Sequence, residues 1–133
     1  MNAQEERFVM EELSDLEKTT NYETMKHIEN VKKCLNKVII ELLKRGEDHD
    51  GTKLESPEVE GFAELTPKLN GVTYGTPEYE EYRKQLKPAL DHHYSRNRHH
   101  PEHFKRGIAD MTIIDLVELL CGKVLPCAIK MGI

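Results

Sequence analysis

The sequence predicts an all-α protein, a bundle of about five to six helices in a single domain spanning residues 1–133. Three observations favour this class. Apolar residues recur at helical spacing, most clearly from Tyr22 to Lys44. Capping residues and prolines stand where helices would begin. Only 6% of the residues are aromatic, and no segment alternates apolar and polar residues as a strand would.

Two helices are predicted in the first third of the chain. Residues 1–19 form a peripheral N-terminal helix, with its clearest pattern from Asn2 to Lys18. Thr19-Thr20-Asn21 supplies side chains that cap helix N-termini, and the long helix from Tyr22 to Lys44 follows. Gly46 then ends this helix, since glycine readily takes the conformation of a helix C-cap.

Proline and capping residues predict the next two helices. Ser56 and Pro57 open a short helix that runs to about Leu65, and residues 66–76 read as loop. Thr76 caps the following helix, which runs to about Asn97. Pro88 lies inside it and should bend or split it, because proline lacks the N–H that a helix interior needs.

The last predicted helix runs from Met111 to Cys121, where Thr112 and Asp115 have the spacing of a capping box. Residues 122–133 form an apolar C-terminal tail. Cys34 and Cys121 stand among apolar residues and are expected to be buried thiols. Free cysteines of this kind are typical of a reducing compartment.

The composition excludes two broad classes of function. A formal net charge of −5 argues against general nucleic-acid binding, which needs a basic face. No apolar run approaches the ~18 residues of a membrane span. We therefore expect a cytoplasmic protein without a membrane partner.

The segment around His49 and Asp50 carries the strongest signal for chemistry. An imidazole and a carboxylate stand side by side between Gly46 and Gly51, where the helix is expected to end. Adjacent residues can reach one cation only where the backbone leaves the regular helix. Lys53 follows three residues after Asp50, where it can pair with that carboxylate or hold a phosphate.

A second signal is the concentration of histidine late in the chain. Five of the seven histidines lie between His92 and His103, in a polar segment that Pro101 interrupts. Imidazole and carboxylate ligands together suit a divalent transition metal such as Mn, Fe, Co, Ni or Zn.

These residues resemble the HD superfamily of metal-dependent phosphohydrolases. The resemblance lies in His27 within a helix, His49-Asp50 followed by Lys53, and Asp115 in a late helix. It implies an HD-like helical bundle that holds one or two metal ions through these histidines and aspartates. It also implies catalytic roles for Asp50 and Lys53.

The chain is more closely similar to an uncharacterised family of small phage and bacterial HD-like proteins. Three segments carry this resemblance: 45–54, 74–79 and 92–104. It implies the same fold, and for a phage-encoded member the host cytoplasm as the location.

The resemblance also implies further ligands in the histidine-rich segment. His92 or His93, together with His99 or His100, are expected to bind a second metal ion or a phosphate. The set we expect is His93, His99 and His100. Asp110 is the alternative to Asp115 as the late ligand.

Basic residues near these histidines are candidates for substrate binding. Lys53, Arg96 and Arg98 can form a local cationic patch around a phosphate group, and Arg106 can extend it. Glu47 or Asp48 can serve as a general base, and the spacing selects neither.

Together these residues predict a metal-dependent phosphohydrolase that acts on a nucleotide or a small phosphate ester through a metal-activated water. The alternative is a non-catalytic metal- or nucleotide-binding protein of the same fold, such as a phage protein that binds a host factor.

Overall fold

The computed structural model describes residues 12–123, and all regular structure in that range is helical. The range holds three 3₁₀ helices, Gly51–Leu54, Pro101–His103 and Gly107–Asp110, and four α-helices: α1 (Asp15–Asp48), α2 (Glu58–Asn70), α3 (Pro77–Arg96) and α4 (Ile113–Lys123). The predicted all-α class is confirmed, with four α-helices there instead of five to six. Most of the predicted N-terminal helix (residues 2–11) and of the tail (124–133) lies outside the described residues.

The chain divides into two compact units, Met1–Val38 and Ile39–Ile133. In the first unit the described regular structure is the N-terminal part of α1. The second unit contains all the elements that follow. None of the described helices combines the length and the apolarity that crossing a membrane requires.

Helix α1 begins at a capping box formed by Ser14 and Glu17. The amide of Ser14 donates to Oε2 of Glu17 over 2.8 Å, and the amide of Glu17 donates to Oγ of Ser14 over 3.3 Å. The predicted capping segment at residues 19–21 is wrong, because α1 runs through it without a break. The hydroxyl of Thr19 donates to the carbonyl of Asp15 inside the helix, 2.9 Å away.

Helix α1 also passes the glycine that was predicted to end it. It includes Gly46 and ends at Asp48, since a glycine inside a helix costs only about 1 kcal/mol. The chain leaves the helical path at Asp50, whose φ of 54° lies in the left-handed region. The turn that was predicted at Gly46 therefore occurs at Asp50.

The apolar stripe of α1 is exposed. No residue of this helix is buried, and Ile28, Leu35 and Val38 are among its exposed apolar side chains. The prediction of buried thiols is wrong for the same reason: Cys34 lies on α1 beside this stripe, and Cys121 lies on an exposed part of α4.

The apolar core lies between α2 and α3. Leu65, Leu86 and Ala89 are buried there, and partly buried residues pack around them: Phe62, Leu69, Tyr82 and Leu90. A Cβ added at Gly61 would lie 2.8 Å from Cβ of Ala89, so glycine permits the close approach of the two helices.

Both helices extend through a proline. Helix α2 continues past Pro67 to Asn70, so its predicted end at Leu65 is wrong. Helix α3 is not split at Pro88. Core residues lie close to both prolines in the sequence, Leu65 to Pro67 and Ala89 to Pro88. The packing of these core residues favours helices that continue through the prolines. The predicted cap at Thr76 is confirmed, because its hydroxyl accepts from the amide of Tyr79 over 3.2 Å.

Helix α4 buries its acidic side chains and exposes apolar ones. Asp115 is fully buried and Glu118 is 9% exposed, whereas Ile113 is 68% exposed and Leu120 is 51% exposed. The predicted capping box is present: the amide of Thr112 donates to Asp115 over 2.9 Å, and the amide of Asp115 donates to Oγ1 of Thr112 over 3.2 Å. The buried carboxylates of α4 contact arginine and histidine side chains of the candidate site.

Candidate metal centre

The turn after α1 presents one carboxylate oxygen of Asp50. A short polar side chain tolerates the left-handed backbone of this residue. The 3₁₀ helix Gly51–Leu54 follows, and its Lys53 amide donates to the carbonyl of Asp50 over 3.0 Å. The ammonium of Lys53 lies 2.8 Å from Oδ2 of Asp50. This ion pair occupies Oδ2 and leaves Oδ1 for other contacts.

The end of α3 brings the histidine-rich segment to this turn. Asn97 caps the helix, and its side-chain amide donates to Oγ1 of Thr52 over 2.9 Å. His93 lies in the last turn of α3 and is 2% exposed. His99 and His100 follow in the segment before the 3₁₀ helix that begins at Pro101.

Four of the predicted ligands meet at one point. Oδ1 of Asp50 lies 3.2 Å from Nε2 of His93 and 3.1 Å from Nε2 of His99. Nε2 of His93 lies 3.0 Å from Nε2 of His100. One ligand atom from each of these four residues lies within 4.8 Å of the others. We call Asp50, His93, His99 and His100 the central group; it can hold a metal ion.

The chemistry of the central group fits a cation. Oδ1 of Asp50 is buried and has no hydrogen-bond partner among the described residues. Burial lowers the pKa of His99 and lowers the pKa of His100 to about 4, with the neighbouring imidazoles adding to the effect. Both imidazoles are therefore neutral at neutral pH. A carboxylate oxygen and imidazole lone pairs repel one another at about 3 Å, and a divalent cation among them would remove this repulsion.

Glu58 is a functional candidate that sequence reasoning missed. It lies at the start of α2, is fully buried, and accepts from Nδ1 of His92 over 2.7 Å and from Nδ1 of His93 over 2.9 Å. The Thr52 hydroxyl donates to it over 2.9 Å. Burial raises the pKa of Glu58, but these hydrogen bonds outweigh it and the net shift is downward. A buried carboxylate thus supports His93.

Glu118 is a further functional candidate that sequence reasoning missed, and the imidazole hydrogen-bonded to it is that of His49. Its Oε1 lies 3.1 Å from Nδ1 of His99 and 3.0 Å from Nδ1 of His49. His49, Glu118 and His99 form a second possible ligand group. A neutral imidazole has only one nitrogen with a free lone pair. His99 therefore serves the central group through Nε2 or this second group through Nδ1, but not both at once.

Asp115 lies in an arginine cluster and belongs to neither ligand group formed by residues 12–123. Arg98 binds it with two nitrogens, over 3.1 and 3.0 Å, and Nη1 of Arg45 lies 2.9 Å away. Burial raises the pKa of Asp115, but the hydrogen bonds from Arg98, Thr112 and Arg45 hold it well below its usual range. Both oxygens of this carboxylate are occupied by protein donors.

None of the remaining candidate ligands belongs to either ligand group formed by residues 12–123. His27 is exposed in the unit Met1–Val38 and belongs to neither of the ligand groups found in the described residues. Arg96 is exposed at the end of α3, and Glu47 and Asp48 are exposed near the end of α1. Asp110 pairs with Arg106, whose Nε lies 2.8 Å from it.

A cavity of about 340 Å³ lies beside His49. The end of α1 and helix α4 form its walls, which carry apolar side chains such as Leu42 and Val117. Its charged groups are paired with one another, since Arg45 lies 2.8 Å from Glu118.

Comparison with known proteins places the chain in a family. The family of unknown function DUF5662 matches residues 16–129, which include every residue of both ligand groups. No curated protein and no solved structure is similar enough to match the chain. The match covers most of the sequence, and the chain therefore belongs to the DUF5662 family.

Proposed function

We propose that the chain is a metal-dependent phosphohydrolase that acts on a nucleotide or a small phosphate ester. The observation that carries the proposal is the unpartnered Oδ1 of Asp50, which faces Nε2 of His93 and of His99. These atoms and His100 would hold one divalent ion. Mixed imidazole and carboxylate ligands suit Mn, Fe, Co, Ni or Zn better than Ca or Mg.

A bound cation of this kind would polarise a phosphoryl oxygen and make a water molecule acidic enough to attack phosphorus. Lys53 has two tasks in the proposal. It holds Oδ2 of Asp50, which keeps Oδ1 turned toward the histidines. Its side chain is 41% exposed, so a phosphate oxygen can approach its positive charge.

The ligand set differs from the one that the HD resemblance implies. His49, Asp50 and Lys53 remain together at the turn after α1. The other ligands come from the histidine-rich segment in place of His27 and Asp115. Because His99 serves one group at a time, we propose one ion in the central group.

A second candidate function is metal binding without catalysis. The pairing of basic residues favours it: Lys53 pairs with Asp50, while Arg45 and Arg98 pair with Asp115. Positive charge that is already paired stabilises a phosphate less. Metal binding without product release would support this candidate.

The proposed activity is tested on untagged protein stripped of metal and reloaded with Mn²⁺, Co²⁺, Ni²⁺ or Zn²⁺. We expect release of phosphate or p-nitrophenol from nucleotides or p-nitrophenyl phosphates with metal and none without. His99→Ala should lower both metal affinity and activity more than about 100-fold, because a ligand is lost. The matched control is His27→Ala, an exposed histidine, expected within about twofold of wild type.

Two results would contradict the proposal. One is a wild-type protein that hydrolyses none of these esters with any of the metals. The other is an His27→Ala variant that loses metal while His99→Ala keeps it, which would support the ligand set implied by the HD resemblance.

A further inference from the structure

We propose that Glu58 and Glu118 are positioning residues of the metal centre. Glu58 holds the Nδ1 proton of His93 through a hydrogen bond. Glu118, whose Oε1 lies 3.1 Å from Nδ1 of His99, attracts the proton of that ring to Nδ1 through its negative charge. The lone pair of each Nε2 is thereby turned toward Asp50. This inference rests on the metal site of the proposed function. It adds which residues set the affinity of that site for a metal ion.

The buried position of Glu58 fixes where the proton of His93 lies. Oε2 of Glu58 lies 2.9 Å from Nδ1 of His93, and both side chains are almost completely buried. A carboxylate accepts hydrogen bonds and cannot donate them when ionised. The proton of His93 therefore resides on Nδ1, and Nε2 is free to bind a cation.

Asn97 does not compete for this position. Its Nδ2 lies 3.2 Å from Nδ1 of His93, but its two hydrogens have better acceptors. One is donated to Oγ1 of Thr52 over 2.9 Å, the other to the carbonyl of His93 over 2.8 Å. Glu58 is thus the acceptor for the Nδ1 proton.

Glu118 acts on His99 through its charge, because its Oε1 is hydrogen-bonded to Nδ1 of His49 over 3.0 Å and His99 lies beside the same oxygen. Its Oε1 lies 3.1 Å from Nδ1 of His99, and Nε2 of the same ring lies 3.1 Å from Oδ1 of Asp50. Oε2 of Glu118 accepts from Arg45 over 2.8 Å, which holds the carboxylate in place. Two buried carboxylates from different helices, α2 and α4, therefore support two imidazoles.

The expected consequence is a higher metal affinity. The hydrogen bond at one ring nitrogen selects which nitrogen can bind a metal. A carboxylate at Nδ1 also makes the imidazole a stronger ligand, and removing such a partner typically lowers metal affinity about 10–100-fold. Glutamine keeps the shape of the side chain but removes its negative charge.

The direct test is to read the protonated nitrogen of each imidazole by ¹⁵N NMR in the metal-free wild-type protein at pH 7.5. We expect His93 and His99 to be protonated on Nδ1. Methionine removes the acceptor altogether, whereas the amide oxygen of glutamine could still accept from His93. Glu58→Met should therefore shift the tautomer of His93 and leave His99 unchanged, and Glu118→Met should do the reverse. A merely structural role would not separate the two rings.

Metal affinity is then measured by competition between the protein and a chromophoric chelator for Zn²⁺ and Co²⁺. Glu58→Gln and Glu118→Gln are each expected to bind these ions about 10–100-fold more weakly than wild type. The matched control is Glu60→Gln, an exposed glutamate on α2, expected to bind like wild type. If Glu58→Gln does not fold, the tautomers of His93 and His99 in the wild-type protein still test the inference.

The inference is overturned if wild-type His93 and His99 carry their protons on Nε2, or if the two variants bind metal as tightly as the Glu60→Gln control. Activity is not a readout here. A wild-type protein that binds metal but hydrolyses nothing would overturn the phosphohydrolase proposal. It would still support this one if the two variants behave as expected.

Discussion

Replacing Asp50 with asparagine is expected to stabilise the metal-free protein while removing its metal binding. Oδ1 of Asp50 faces Nε2 of His93 and of His99 and has no donor among the described residues. An asparagine amide would donate into this position and replace repulsion by a hydrogen bond worth about 1 kcal/mol. The left-handed backbone at residue 50 accepts asparagine readily.

The opposing effects in this variant are small. The ion pair between Lys53 and Asp50 is lost, but Lys53 is 41% exposed and a pair of this kind contributes about 0.5 kcal/mol. We therefore expect the free energy of unfolding of the metal-free variant to equal or exceed that of wild type by up to about 1 kcal/mol. Metal affinity should fall more than about 100-fold, since the only carboxylate ligand of the central group is lost.

Urea denaturation of protein treated with a chelator measures the first effect, and competition for Zn²⁺ measures the second. The matched control is Asp48→Asn, which removes the same charge from an exposed residue two positions earlier. It should change neither quantity appreciably. An Asp50→Asn variant that binds metal like wild type, or is clearly less stable without metal, contradicts the account.

Removing the Asp115 carboxylate is expected to cost about 3 kcal/mol of unfolding free energy. Asp115 is fully buried and holds Arg98 and Arg45 together at the start of α4. Breaking a buried ion pair by removing one partner typically costs about 3–5 kcal/mol. The lower end applies because Arg98 is 44% exposed and water can solvate it once the carboxylate is gone.

Urea denaturation of Asp115→Ala measures this loss. The matched control, Asp110→Ala, removes an aspartate whose partner Arg106 is 73% exposed, so it should cost less than about 1 kcal/mol. The lowered pKa of Asp115 adds a pH dependence. Its stabilisation is present above the ordinary carboxyl pKa of 3.8 and is lost as pH falls below that value.

A further variant, Asp115→Asn, tests the late ligand implied by the HD resemblance. Because both oxygens of Asp115 are bound by protein donors, the folded Asp115→Asn variant should bind metal within about threefold of wild type. Loss of metal binding by a folded Asp115→Asn protein would contradict this expectation and would support Asp115 as a metal ligand.

The sequence was informative where local chemistry determines the structure. Helical spacing and the cap at Thr76 predicted the all-α class and the start of α3 correctly. The predicted ends of α1 and α2 were wrong, because packing and ion pairs extend these helices past Gly46 and Pro67, although a glycine and a proline inside a helix cost about 1 and about 3 kcal/mol. Local propensity is a weak guide wherever distant contacts decide.

The candidate ligands that came from residue type lie together in the structure. Asp50 stood out because it follows His49 at a break in the helical pattern. His93, His99 and His100 stood out because histidine is concentrated there. His27 and Asp115 came from the resemblance, and neither lies in a ligand group of the described residues.

The sequence around Glu58 and Glu118, the two carboxylates beside the histidines, gave no signal as strong as the one that identified the candidate ligands. Glu58 reads as an ordinary acid in the first turn of a helix, where negative charge is favourable. Glu118 carries one clue: it lies one turn after Asp115, on the side of α4 away from its apolar stripe. Burial of either carboxylate depends on histidines and arginines far away in the sequence, which helical periodicity cannot show.

The central claim is that one cation lies among Asp50, His93 and His99, and an anomalous-difference map of crystals of the untagged protein with Zn²⁺ or Mn²⁺ tests it most directly. We predict one peak per chain, about 2.0–2.2 Å from Oδ1 of Asp50 and from Nε2 of both histidines for Zn²⁺. No peak at this point, or a peak on Nδ1 of His99 beside Glu118, would contradict the claim.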